Sequence, residues 1–220
     1  MKFQGLILDF DGVLIESEYV GNRHLAGYLT GIGHPTTPEQ SMAMFMGLAG
    51  RDFIAAVEHW IGRTLPADFR AARDAEDERV LREGLDEVIG AVAFVTGLPP
   101  ELPRAIASSS SVEWIATHLA HLNLREHFGN RIYSGRSHVA RGKPAPDLYL
   151  YAARAMDIPI HRVVIVEDSP VGVIGAVASG AFVIGVTAGS HCLDAHAERL
   201  RGHGAHAVVD SFDEVAALIA

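Results

Sequence analysis

Apolar runs of strand length and stretches of helical period divide the 220-residue chain into three parts. Residues 3–8, Phe3-Gln4-Gly5-Leu6-Ile7-Leu8, form a short apolar run that breaks off abruptly at Asp9-Phe10-Asp11-Gly12-Val13. From about Ser17 to about Leu85 the pattern is helical throughout, with no convincing strand. The later half of that stretch sets Arg73 four residues before Asp77 and Arg79 four before Glu83, the spacing of ion pairs on a solvated helix face. Beyond it, short apolar runs at 104–107, 162–166, 181–186 and 207–209 suit buried strands, and 111–122, 145–157, 170–179 and 211–219 suit helices. Strand and helix in alternation predict an α/β fold: a doubly wound parallel sheet covered on both faces, with an all-helical insertion in its first crossover.

In such a sheet, polar residues just beyond the carboxyl ends of the strands converge on one crevice. The first strand ends in Asp9-Phe10-Asp11, the second in Ser108-Ser109-Ser110 and the third in Glu167-Asp168-Ser169. Between the last two lies Gly142-Lys143-Pro144-Ala145-Pro146-Asp147, whose prolines start the next helix. Carboxylates, hydroxyls and a lysine therefore collect at one mouth, a set suited to moving a phosphoryl group. Asp9 can attack phosphorus and form an acyl phosphate, which divides one hard hydrolysis into two displacements. Asp11 can protonate the departing alkoxide and then take a proton from water. Gly12 permits the tight turn that brings both acids close to a substrate. A carboxylate approaches a phosphate dianion only with charge neutralisation, which calls for Mg²⁺ held by Asp9, Asp168 and Glu167, together with Lys143. Ser108 and the backbone N–H groups at a helix start would bind the remaining phosphate oxygens. Lys143, pinned between Gly142 and Pro144, is expected to serve the site rather than face solvent.

A formal charge of −9 and the lack of any Lys/Arg cluster argue against a nucleic-acid partner. They leave an anionic small substrate open, because a metal ion reverses the local sign of charge. Cys192 is the single cysteine, so no intrachain disulfide forms and a reducing compartment is expected. The N-terminal run is cut by Asp9 and Asp11 too early for a secretory core, and no later stretch reaches membrane-spanning length. The expectation is a soluble cytoplasmic protein with no membrane partner; a monomer is the default, since these patterns do not encode oligomeric state. His191, Cys192, His196, His203 and His206 lack a recognised metal-ligand spacing and read as a solvated helix and loop. Met42, Met44 and Met46 read as packing within the helical insertion. Ser17 reads as a hinge or helix cap, and Arg51, after the loop Gly47-Leu48-Ala49-Gly50, as either a contact for an anionic substrate or a surface arginine.

Four blocks occur in order across most of the chain: Asp9-Phe10-Asp11-Gly12-Val13, Ile106-Ala107-Ser108-Ser109-Ser110, Gly142-Lys143-Pro144-Ala145-Pro146-Asp147, and Val166-Glu167-Asp168-Ser169-Pro170-Val171-Gly172. Together they resemble the motifs of the haloacid dehalogenase-like hydrolases, in the branch of small sugar-phosphate phosphatases and β-phosphoglucomutase. The resemblance implies a Rossmann-like core of residues 1–15 and 88–220 and a helical cap domain of residues 16–87 that selects the leaving group. It implies a Mg²⁺-dependent phosphatase acting on a small phosphorylated metabolite, with Asp9 as nucleophile and Asp11 as acid and base. Asp9, the Asp11 carbonyl and Asp168 match the metal ligands, with Glu167 beside them, and Ser108, Ser109 and Lys143 match the phosphate-binding positions. Arg51 and Ser17 are the residues of the cap side to consider. A phosphomutase of this branch carries a cap histidine where this chain has Gly21, with His24 a turn later; its absence favours water as the final acceptor. A dehalogenase dispenses with a second acid at Asp11. The pattern, including Gly47-Leu48 and Ala155-Met156-Asp157-Ile158, looks most like bacterial sugar-phosphate or sugar-acid phosphatases of the 6-phosphogluconate type. The alternative from another class is a receiver-like signalling module, which also holds an aspartyl phosphate but needs neither an acid two residues on nor a cap.

Overall fold

The computed structural model describes residues 3–48 and 50–220. Its strands are β1 (Gly5–Leu8), β2 (Arg104–Ser108), β3 (Ile132–Ser134), β4 (Val163–Glu167), β5 (Phe182–Val186) and β6 (Ala207–Val209). The helices run, in chain order, α1 (Ser17–Gly31), α2 (Pro38–Phe45), α3 (Gly50–Ile61), α4 (Phe69–Glu83), α5 (Ala91–Gly97) and α6 (Val112–His121). They continue with α7 (Arg125–Phe128), α8 (Asp147–Ala155), α9 (Pro170–Ser179), α10 (His196–Gly202) and α11 (Phe212–Ile219). The chain divides into two units, Met1–Glu16 with Leu85–Ala220, and Ser17–Gly84.

In the larger unit the strands form one parallel sheet in the order β3-β2-β1-β4-β5-β6. Strand β1 is central, with Ile7 opposite Ala105 on one side and Ile165 on the other. Successive side chains of a strand point to opposite faces, and the burial follows that rule. Leu6 and Leu8 join Val164, Val166 and Ile184 in a layer filled by Val95, Ile115, Leu119, Phe128 and Val215 from one set of helices. Ile7 joins Ala105, Ile165 and Val183 in a second layer filled by Leu148, Tyr149, Ala152, Val173 and Leu200. The sheet is thus covered on both faces, as the alternation of strand and helix predicts. The pattern did not announce β3, a three-residue strand at the sheet edge, where so short a run carries no period. Strand β2 opens on a buried arginine, Arg104, whose guanidinium is satisfied by the carbonyls of Val95, Pro99 and Leu102.

The Ser17–Gly84 unit is helical, packed around Leu25, Leu29, Phe45, Val57, Ile61 and Phe69. Helix α2 is started by a capping box in which Gln40 N donates to Thr37 Oγ1 at 3.2 Å and Thr37 N to Gln40 Oε1 at 2.9 Å. Of the methionines, Met42 is buried while Met44 is exposed, so core packing describes only the first of that pair. The Arg79–Glu83 pair forms, at 2.7 Å. Arg73 does not turn to Asp77 in the way its spacing predicts; its guanidinium donates to the Gly21 carbonyl at 3.0 Å and meets His24 Nδ1 at 3.2 Å. A carbonyl on a neighbouring helix competes successfully here because an exposed i,i+4 pair is worth only about 0.3–0.5 kcal/mol. Among the described residues no helix is long and apolar enough to cross a membrane.

Ile7 is fully buried on the central strand, with both neighbouring strands against it. Ile7→Ala is expected to lower the unfolding free energy by about 2–5 kcal/mol, measured by urea denaturation of both proteins at one pH.

Candidate active site

The mouth of the sheet is built by chain geometry. Asp9 N donates to Val166 O at 3.0 Å, extending the β1–β4 ladder one residue and fixing where the Asp9 carboxylate leaves the strand. The chain then turns at once, with Leu14 N donating to Phe10 O and Gly12 N to Ile15 O. Gly12 sits at φ +76°, and a Cβ there would lie 2.2 Å from Asp168 Oδ2, so this turn has room only for glycine.

Lys143 reaches the mouth from the loop before α8, and its side chain is only 4% exposed. Its ammonium lies 2.7 Å from Asp9 Oδ1 and 2.5 Å from Glu167 Oε1. Glu167 is fully occupied: Tyr149 OH donates to Oε1 at 2.8 Å, and Ser169 N and Oγ donate to Oε2 at 2.9 and 3.0 Å. Each of the Glu167 oxygens thus already serves two donors. Asp168 differs. Its Oδ2 pairs with His191 Nε2 at 2.8 Å, while its buried Oδ1 has no hydrogen-bond partner among the described residues. Asp9 Oδ1 likewise accepts no well-aligned hydrogen bond, its contact being the Lys143 ion pair.

Burial and mutual repulsion govern the charge states. Burial, reinforced by Glu167 and opposed by Lys143, holds the Asp9 carboxyl well above the usual carboxylate range. Burial also raises Asp168, against the pull of His191. Burial would raise Glu167 too, but Lys143 and the hydrogen bonds from Ser169 and Tyr149 outweigh it and keep that carboxyl low. Burial opposes the charge on Lys143, yet Asp9 and Glu167 lift its pKa well above the ordinary value. His191 is pushed up to about 11, because its bond to Asp168 outweighs burial. Oxygen atoms of Asp9, Glu167 and Asp168 lie within 4.8 Å of one another. A buried, oxygen-only donor set with negative charge in excess and an unpartnered oxygen on Asp168 fits a hard divalent cation such as Mg²⁺.

Asp11 is held on the other side of the turn. Its Oδ2 accepts from Ser110 Oγ at 2.6 Å and Ser108 Oγ at 3.1 Å, and its Oδ1 accepts from Trp114 Nε1 at 3.0 Å. Ser108 is buried and accepts in turn from Ser110 N at 2.9 Å. Ser109 is exposed, and its carbonyl accepts from Arg136 Nε, while the Ser110 hydroxyl turns to Asp11.

The histidines require a further correction. His203 and His206 are exposed, but His191 and His196 are buried, at 1% and 3% exposure, rather than solvated. His196 Nε2 donates to the Asp168 carbonyl at 2.6 Å. Ser17 begins α1, but its buried Oγ has no hydrogen-bond partner among the described residues, so it supplies no side-chain cap. Arg51 is exposed in the first turn of α3, which begins at Gly50; Ala49 lies outside the described residues. Trp114 and Tyr149 were not singled out by spacing, since each reaches the mouth through tertiary packing; Ser110 stood in a motif without a role of its own.

Residues 3–180 match the family described as haloacid dehalogenase-like hydrolase, and the chain belongs to that family. Among similar proteins, hexitol phosphatase A of Escherichia coli is 31% identical over 193 residues, covering 86% of this chain and 85% of its own. The 6-phosphogluconate phosphatase of the same organism is 25% identical, with the same coverages. The crystal structure of a hydrolase of this family from Deinococcus radiodurans, with bound phosphate and sodium, superposes with a TM-score of 0.87 at 28% identity, covering 99% of this chain and 95% of that one.

Trp114→Phe keeps a ring in place while removing the donor to Asp11. Loss of a hydrogen bond to a charged group is expected to lower the unfolding free energy by about 1.5–3 kcal/mol, read by urea titration followed by far-UV circular dichroism.

Proposed function

We propose that this protein is a Mg²⁺-dependent phosphatase that hydrolyses a small phosphorylated metabolite, a sugar phosphate or sugar-acid phosphate, through an aspartyl-phosphate intermediate. The observation that carries the reading is the buried Asp9 carboxylate, paired to Lys143 at 2.7 Å beside the unpartnered Asp168 Oδ1. Family membership supports it, as do the phosphatase names of the two relatives and the phosphate in the Deinococcus structure.

In this reading Asp9, Asp168 and the Asp11 carbonyl hold Mg²⁺, which when bound supplies the positive charge that lets a carboxylate meet a phosphate dianion. Lys143 and Ser108 bind non-reacting phosphate oxygens. An Asp9 oxygen attacks phosphorus, the bond from phosphorus to the leaving oxygen breaks, and Asp11 gives that oxygen a proton. Water then attacks the phosphorus of the acyl phosphate, Asp11 takes a proton back, and Asp9 is released with inorganic phosphate. Glu167 keeps Lys143 charged and in place through the 2.5 Å contact. The helical unit chooses the organic group, with Arg51 and Ser17 as its first residues to probe. Two points favour water over a second sugar as acceptor: the resemblance matches the mutase histidine to Gly21 of this chain, and His24 is engaged by Arg73.

Turnover of p-nitrophenyl phosphate is expected with Mg²⁺ and is expected to vanish in excess chelator and return on adding Mg²⁺ back; unchanged turnover in chelator would refute the metal requirement. Asp9→Asn is expected to abolish phosphoenzyme formation, and Asp11→Asn to lower kcat by about 10²–10⁴-fold while Mg²⁺ still binds. Rapid-quench detection of the acid-stable, base-labile phosphoenzyme separates the two roles, and wild-type turnover by Asp9→Asn removes Asp9 as nucleophile. A screen including 6-phosphogluconate, hexose phosphates and phosphoglycolate identifies the substrate.

A further inference from the structure

We infer that His191 is a positioning residue for Asp168, fixing one carboxylate oxygen so that the other is presented to the cation; the inference rests on the metal-dependent reading above. Asp168 Oδ2 is held by His191 Nε2 at 2.8 Å, and Oδ1 is the oxygen left without a hydrogen bond. A carboxylate tied at one oxygen cannot turn about its terminal bond, so the direction of the second is set before any ion arrives. The main chain of the same residue is tied as well, because His196 Nε2 donates to the Asp168 carbonyl at 2.6 Å. Arg199 Nη2 donates to His196 Nδ1 at 2.7 Å, which leaves the His196 proton on Nε2. Two imidazoles from the segment after β5 therefore hold residue 168 by its side chain and its backbone.

The ring of His191 lies in a slot that requires glycine on two sides. A Cβ on Gly12 would come 2.9 Å from His191 Cε1, and one on Gly189 would come 2.6 Å from Cε1 and 2.7 Å from Nδ1. The imidazole is thus confined by backbone on one flank and by its hydrogen bond to Asp168 on the other. Groups that orient a metal-binding side chain typically change metal affinity by about 10–100-fold when removed.

Mg²⁺ alone, titrated calorimetrically into metal-free protein, tests this. His191→Phe keeps a ring for the slot but loses the donor, and is expected to weaken Mg²⁺ binding about 10–100-fold. His191→Gln, which retains an N–H within reach of Asp168, is expected to restore most of that affinity. Gly189→Ala, which displaces the ring without altering its chemistry, is expected to weaken Mg²⁺ binding in the same direction, and decides the matter should His191→Phe not fold. Wild-type affinity in His191→Phe, or equal losses in the Phe and Gln variants, overturns the inference while leaving the phosphatase reading intact. A wild-type protein that turns over p-nitrophenyl phosphate but binds no Mg²⁺ overturns the metal reading and this inference together.

Discussion

The buried ion pair that joins Lys143 to both Asp9 and Glu167 is the interaction on which the site depends. Charges removed from water are tolerated only where geometry and further hydrogen bonds compensate. Glu167 meets that condition, with Tyr149 and Ser169 filling its acceptor positions, so it remains ionised and acts as the fixed counter-charge of the lysine. Asp9 does not. It shares the lysine with a stronger competitor and lies close to a third carboxylate, which leaves it the member of the group with the most unmet demand for positive charge.

This division of labour follows from the pleat of β4. Val166 enters one core layer, and the next residue, Glu167, faces Tyr149 from the opposite layer. The residue after that, Asp168, points back and meets His191. Adjacent acids in sequence therefore act on different neighbours: one governs the lysine, the other is governed by a histidine. Their closeness in sequence says nothing of a shared task.

Much of this was legible before any coordinates. The alternation of short apolar runs and helices is strong enough to imply the parallel sheet, and the strand-end rule brings Asp9, Lys143, Glu167 and Asp168 to one mouth. What escaped has physical reasons. Strand β3 is too short for a period, and its pairing with β2 comes from the sheet. Arg73 has a helical partner by spacing but a better acceptor on another helix. His191 lies in a loop, where no periodicity tells the direction of a side chain, and its burial follows from the slot between Gly12 and Gly189. Ser110 stood in a motif, but which of the four consecutive serines 108–111 turn inward depends on a backbone path that composition does not specify.

Ser108 carries the last consequence. Its hydroxyl has one hydrogen, and that hydrogen is directed to Asp11 Oδ2, while its oxygen accepts from Ser110 N. An anion in the mouth that claims this hydrogen leaves Asp11 with Ser110 and Trp114 only. In the proposed reading, filling the pocket and restraining Asp11 are thus rival uses of a single proton, an interlock in which the ligand's arrival would loosen the acid.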